Sequence, residues 1–155
     1  MNSRLTSVLG ILCGVAMLAG MNSVAAAPWK AKEAPLMTRW AKDVSPKNAH
    51  PEYPRPQMTR SQWLNLNGLW NYAINSRDAG KPGSYKGQIL VPYPIESALS
   101  GVMERVDEKQ QIWYERTFSM PEDWRENRMI LHFGACDWET TVFVNDKEVG
   151  SHKGG

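Results

Sequence analysis

The sequence predicts an all-β fold, an antiparallel β-sandwich or jelly roll left incomplete at its C-terminal end. From Trp63 onward apolar residues alternate with a period of two, in short runs closed by glycine or proline. No long stretch repeats with the helical period, and only Pro121-Glu122-Asp123-Trp124 is expected to form a helical turn.

The elements follow in order. In residues 67–74, Trp70, Tyr72 and Ile74 fall on one face, and Leu69, Asn71 and Ala73 on the other. Residues 88–91 form a short strand stopped by Pro92. Residues 111–120 alternate again, with Ile112, Tyr114 and Phe118 opposite Trp113, Glu115 and Thr117, and end at Pro121. Residues 128–133 bring Met129, Leu131 and Phe133 to one face before Gly134. Residues 140–144 lead through a tight turn at Asn145-Asp146-Lys147 into residues 148–150. This makes about six strands against the ~8 of a full jelly roll, and the sequence stops in what should be a loop leading to another strand.

The N-terminal 27 residues read as a secretory signal peptide. Arg4 precedes an apolar stretch from Leu5 to Leu18, and the small residues Ala25, Ala26 and Ala27 follow. The run is shorter than the ~20 residues of a membrane span, so removal is expected, with no span left afterwards and a periplasmic or secreted protein as the outcome. Cleavage falls after Ala25, Ala26 or Ala27. Residues 28–57 then carry six of the ten prolines and neither period. They read as an extended Pro-rich leader, a solvated linker in preference to a docked arm, although Trp29, Trp40 and Tyr53 argue for the arm. Residues 58–155 remain as one domain.

Loss of the signal leaves 17 basic against 16 acidic residues. So small a net charge excludes a nucleic-acid partner and favours uncharged ligands. Cys13 leaves with the signal, so Cys136 has no partner for an intramolecular disulfide. His50, His132 and His152 are scattered, and no phosphate loop or metal-ligand spacing occurs. No metal or cofactor is expected.

Several segments follow one another in order and at suitable spacings: Leu66-Asn67-Gly68-Leu69-Trp70 with Tyr72; Val91-Pro92; Trp113-Tyr114-Glu115-Arg116-Thr117-Phe118; Pro121 with Trp124; Leu131-His132-Phe133-Gly134-Ala135; Val142-Phe143-Val144-Asn145-Asp146; and Gly150-Ser151-His152-Lys153-Gly154-Gly155. Together they cover residues 60–155 and resemble the N-terminal sugar-binding domain of family 2 glycoside hydrolases, the group of β-galactosidases, β-glucuronidases and β-mannosidases. The resemblance implies a galactose-binding-like jelly roll, truncated here. It also implies a retaining parent enzyme whose two catalytic glutamates lie in a (β/α)₈ barrel, beyond an immunoglobulin-like domain. Both of those domains are missing partners of this sequence. Glu96, Glu104, Glu115 and Glu139 match no catalytic motif of the family, so no catalytic residue is assigned and the chain alone is expected to be inactive.

In such enzymes the loop after the Val-Pro strand can reach the rim of the active site, which makes Tyr93 and Glu96 candidates for sugar contact. Trp138, between Asp137 and Glu139, is the candidate for an exposed aromatic face. The expected ligand is a β-glycoside or oligosaccharide. Two other readings compete with an N-terminal glycosidase portion: a free-standing carbohydrate-binding module, and a scaffold that binds little sugar.

Overall fold

The computed structural model describes residues 28–154; the predicted signal segment and Gly155 lie outside them. Among the described residues the fold is all-β, the strands are antiparallel, and the only helical pieces are short 3-10 turns. It divides after Arg116 into two compact units. Among the described residues no helix is long and apolar enough to cross a membrane.

The first unit is built on a three-stranded sheet in the order β2-β1-β3. Its strands are β1 (Gly68–Ser76), β2 (Gly87–Val91) and β3 (Gln110–Glu115). Trp70 faces Ile89 across the first ladder, while Tyr72 faces Tyr114 and Ile74 faces Ile112 across the second. Residues directly opposite share a face of the sheet, so the alternation read from residues 67–74 becomes one apolar surface. Tyr72, Ile89, Ile95 and Val102 are buried there, with Trp70, Ile74, Val91, Val106 and Ile112 packed around them. Ile89 and Leu90 are both fully buried although they point to opposite faces, so the sheet is covered on both sides at β2. Burial of each such side chain contributes about 1.5–3 kcal/mol.

Arg116, one residue past β3, anchors the entry to β1. Its Nη1 donates to the carbonyls of Leu66 at 2.7 Å and Asn67 at 2.8 Å. The guanidinium lies against Gly68, whose φ of 121° suits glycine, and a Cβ there would come within 3.1 Å of the same Nη1.

The leader differs from a solvated linker. Trp29 Nε1 donates to Ser100 O at 2.9 Å, and the Lys32 amide donates to Ala98 O at 2.9 Å. Further along, Ala49 is buried and the Tyr53 ring packs on Trp63 with centroids 4.8 Å apart. Proline removes backbone donors, so the arm is held by side chains and a few amides, without a ladder.

The second unit holds one hairpin, β4 (Glu139–Val144) with β5 (Lys147–Lys153), behind a 3-10 turn at Glu122–Trp124. Asn145 and Asp146 turn it with φ of 50° and 63°, both positive as a two-residue primed turn requires. The register shifts between Val142 and Phe143. Two expected strands differ. Residues 128–133 join no ladder among the described residues, and Met129, Leu131 and Phe133 stay exposed. Residues 116–120 likewise lie outside β3. An alternating run becomes a strand only where a neighbouring backbone completes its hydrogen bonds.

Candidate sugar-contact site

The loop from Pro92 to Glu104 is a closed, internally bonded structure. It leaves β2 through the cis Val91–Pro92 peptide. The Tyr93 amide donates to Leu90 O at 3.1 Å, and the Glu104 amide donates to Ile95 O at 3.2 Å, closing the loop on itself. Ile95 and Val102 dip into the core between these points.

Ser100 is the hub of the loop and is fully buried. Its hydroxyl donates toward Ser97 O, 2.8 Å away, with Ile95 O at 3.1 Å, and accepts from the Val102 amide at 3.0 Å. Ser97 caps the 3-10 turn Ala98–Ser100 by accepting from the Ser100 amide at 3.2 Å. Such local side-chain bonds give the loop a defined path without regular structure. Gly101 follows at φ 82°, and a Cβ on it would fall on the indole of Trp29, 2.6 Å from Cδ1. Only glycine lets the arm approach this closely.

Tyr93 and Glu96 therefore stand on a fixed loop. Glu96 is exposed, whereas Tyr93 is half-buried, with its ring 5.8 Å from that of His50 at a tilt of 43°. Burial, and secondarily the Glu52 carboxylate, pushes the Tyr93 hydroxyl above its ordinary range and keeps it a protonated donor at neutral pH. His50 Nδ1 lies 3.2 Å from Glu52 Oε1. The backbone hydrogen bond of Glu52 and then His50 hold that carboxyl below its usual value. Trp138 belongs to the second unit; it is 59% exposed, and its carbonyl accepts from the Gly154 amide at 2.7 Å.

Of the three sequence candidates, Tyr93 and Glu96 share one loop and Trp138 stands on the hairpin unit. His50, Glu52 and Ser100 were not singled out from sequence, and Trp29 was named there only as an argument for a docked arm. The Ser-Gly pair ending an apolar loop is the signal that could have found Ser100. The three other glutamates considered from sequence lie in ion pairs: Glu104 with Lys86 at 2.6 Å, Glu115 with Lys81 at 3.5 Å, and Glu139 with Lys153 at 2.8 Å. No group of three metal-ligating side chains occurs among the described residues.

The fold defines an incomplete antiparallel β-sandwich, and comparison with known proteins assigns its family. The family model described as glycosyl hydrolases family 2, sugar binding domain, matches residues 75–155. The chain belongs to glycosyl hydrolases family 2. The match begins inside β1, so the Leu66–Trp70 signature precedes it. A beta-glucuronidase of Paenibacillus borealis is 30% identical over 109 residues, covering 66% of this chain and 18% of that protein. A beta-glucuronidase of Streptococcus agalactiae serotype V is 25% identical over 103 residues, covering 66% of this chain and 17% of that protein. One of Bacteroides fragilis is 28% identical over 91 residues, covering 58% and 12%. The chain thus spans less than a fifth of the length of these relatives.

Proposed function

We propose that this chain is the N-terminal sugar-binding and scaffold portion of an exported retaining glycoside hydrolase acting on β-glucuronides. The family match over residues 75–155 carries the reading. The names of the relatives support the substrate class, and their greater length supports a catalytic portion carried elsewhere in the parent polypeptide. A retaining glycosidase needs two carboxyl groups about 5–5.5 Å apart, one a proton donor and one a nucleophile. In this reading they lie in a (β/α)₈ barrel beyond an immunoglobulin-like domain. This chain supplies rim contacts from Tyr93 and Glu96, and an aromatic face from Trp138. Export to the periplasm or medium rests on the charge, apolar run and alanine cluster of residues 1–27.

Reading the coding sequence past the Gly155 codon tests the proposal. An open frame continuing into a barrel with a pair of glutamates is expected. A stop codon followed by unrelated sequence would remove the catalytic half of the reading. For export, the protein recovered from the cell envelope should begin just after Ala25, Ala26 or Ala27, and an intact Met1 there would contradict secretion.

A further inference from the structure

We propose that His50 and Glu52, on the N-terminal arm, join Tyr93 in one saccharide-contacting cluster that reads the hydroxyl groups of a neutral pyranose ring. The inference rests on the carbohydrate reading above and extends it to a part of the chain that lies before the matched family domain.

The cluster is built on a fixed backbone. His50 adopts φ 49°, a left-handed conformation uncommon outside glycine. Its carbonyl accepts from two side-chain amides, Asn65 Nδ2 at 2.8 Å and Asn67 Nδ2 at 3.1 Å. Residues held in sparsely populated conformations by such over-determination concentrate at ligand clamps. The arm is tied to the same loop a second time, through Trp29 and Lys32 at Ser100 and Ala98. The backbone that carries these side chains is therefore already ordered, which lowers the entropy lost on binding.

The chemistry suits vicinal hydroxyls. The Glu52 carboxylate accepts from two hydroxyls, the His50 imidazole offers a donor or an acceptor, and the Tyr93 phenol does both. The His50 and Glu52 side chains are 58% and 67% exposed, so a ring has access to them. Charge selects the kind of sugar. With His50 protonated the pair is neutral, and with His50 neutral it is negative. It has no net positive charge with which to hold a uronate. On a glucuronide substrate the cluster therefore fits the neutral sugar on the leaving-group side.

The test follows the histidine ring signals of the 155-residue chain by NMR during titration with methyl β-D-glucopyranoside and, separately, methyl β-D-glucuronide. The His50 signals should move saturably with the neutral glycoside in the millimolar range, and more weakly with the uronide. E52Q and Y93F should each weaken that titration about fivefold, the scale of one lost hydrogen bond. Unchanged β1–β3 amide signals in the variants would show that the sheet is intact. His50 signals that favour the uronide, or titrations unaffected by E52Q and Y93F, would overturn the cluster. Movement at the Trp138 indole without movement at His50 would overturn the cluster and leave sugar binding standing. Silence throughout would overturn both.

Discussion

Gly101 and the Trp29 indole define how tightly the arm meets the loop. Gly101→Ala puts a methyl group on the indole at a φ of 82°, so it should destabilise the protein by about 2 kcal/mol, from left-handed strain and loss of the arm contact. In a Trp29→Ala background the same change should cost about 1 kcal/mol less, because the clash is gone. Urea unfolding of the three variants beside the unsubstituted chain measures that coupling, and strict additivity would mean that the arm does not sit on the loop. A second residue-scale prediction concerns Lys86, whose Nζ contacts both oxygens of Glu104, at 2.8 and 2.6 Å. That bond raises the ammonium pKa above its ordinary 10.5. A raised folded-state value means that the contribution is complete below 10.5 and is lost as pH rises through the folded value. Both side chains are well exposed, so the pair contributes only ~0.5 kcal/mol. Lys86→Met should lower stability by that amount at neutral pH and remove part of the alkaline loss. Tyr72 contributes in the same direction, since its hydroxyl is raised by burial and then by Glu104, so its stabilisation is also lost as pH rises. Little of this was legible in the sequence. Lys86 and Glu104 are 18 residues apart and meet only because the loop folds back beside β2.

At the scale of elements, the strands of the first unit were readable and their partners partly so. Residues 67–74 and 88–91 became β1 and β2 with ends shifted by a residue or two. The faces of β1 were identified because a half-buried strand imprints a period of two, while none was assigned for residues 88–91. The same period misled at residues 128–133, since alternation reports only that a strand could bury one face, while a strand also needs a neighbouring backbone to pair with. The arm was misread for the opposite reason: prolines erase periodicity, and Trp29 docks through one indole N–H that no pattern announces. The hairpin β4–β5 was legible at its turn, where Asp146 stands at φ 63°. Asp146→Gly should stabilise the hairpin by about 0.5–1 kcal/mol, read as slower hydrogen exchange across β4–β5. An isolated two-stranded hairpin is marginal in water. Its amides should accordingly exchange much faster than those of β1–β2–β3, and equal protection in the two sheets would contradict that ranking.

For the whole molecule, the proposed role is to supply sugar contacts and scaffold to a β-glucuronidase whose chemistry resides elsewhere. The buried sheet, the bonded loop and the docked arm give the first unit its own apolar core around Tyr72, Ile89, Ile95 and Val102. Ile89→Ala should cost about 2–5 kcal/mol, because a fully buried side chain leaves a cavity where the sheet is covered on both faces. The family was legible because motifs at turns and strand ends carry it, and those depend on local geometry. Of the residues proposed to contact sugar, a loop motif marked Tyr93 in the sequence, whereas His50 and Glu52 meet that tyrosine only through folding of the arm. The most direct measurement is hydrolysis of 4-nitrophenyl β-D-glucuronide by the 155-residue chain, beside the same chain extended through its downstream coding sequence. No turnover by the chain alone and rapid turnover by the extended protein is the predicted result. Turnover by the chain alone that survives purification and disappears when one of its own carboxylates is replaced, as in Glu96→Gln, would contradict the account.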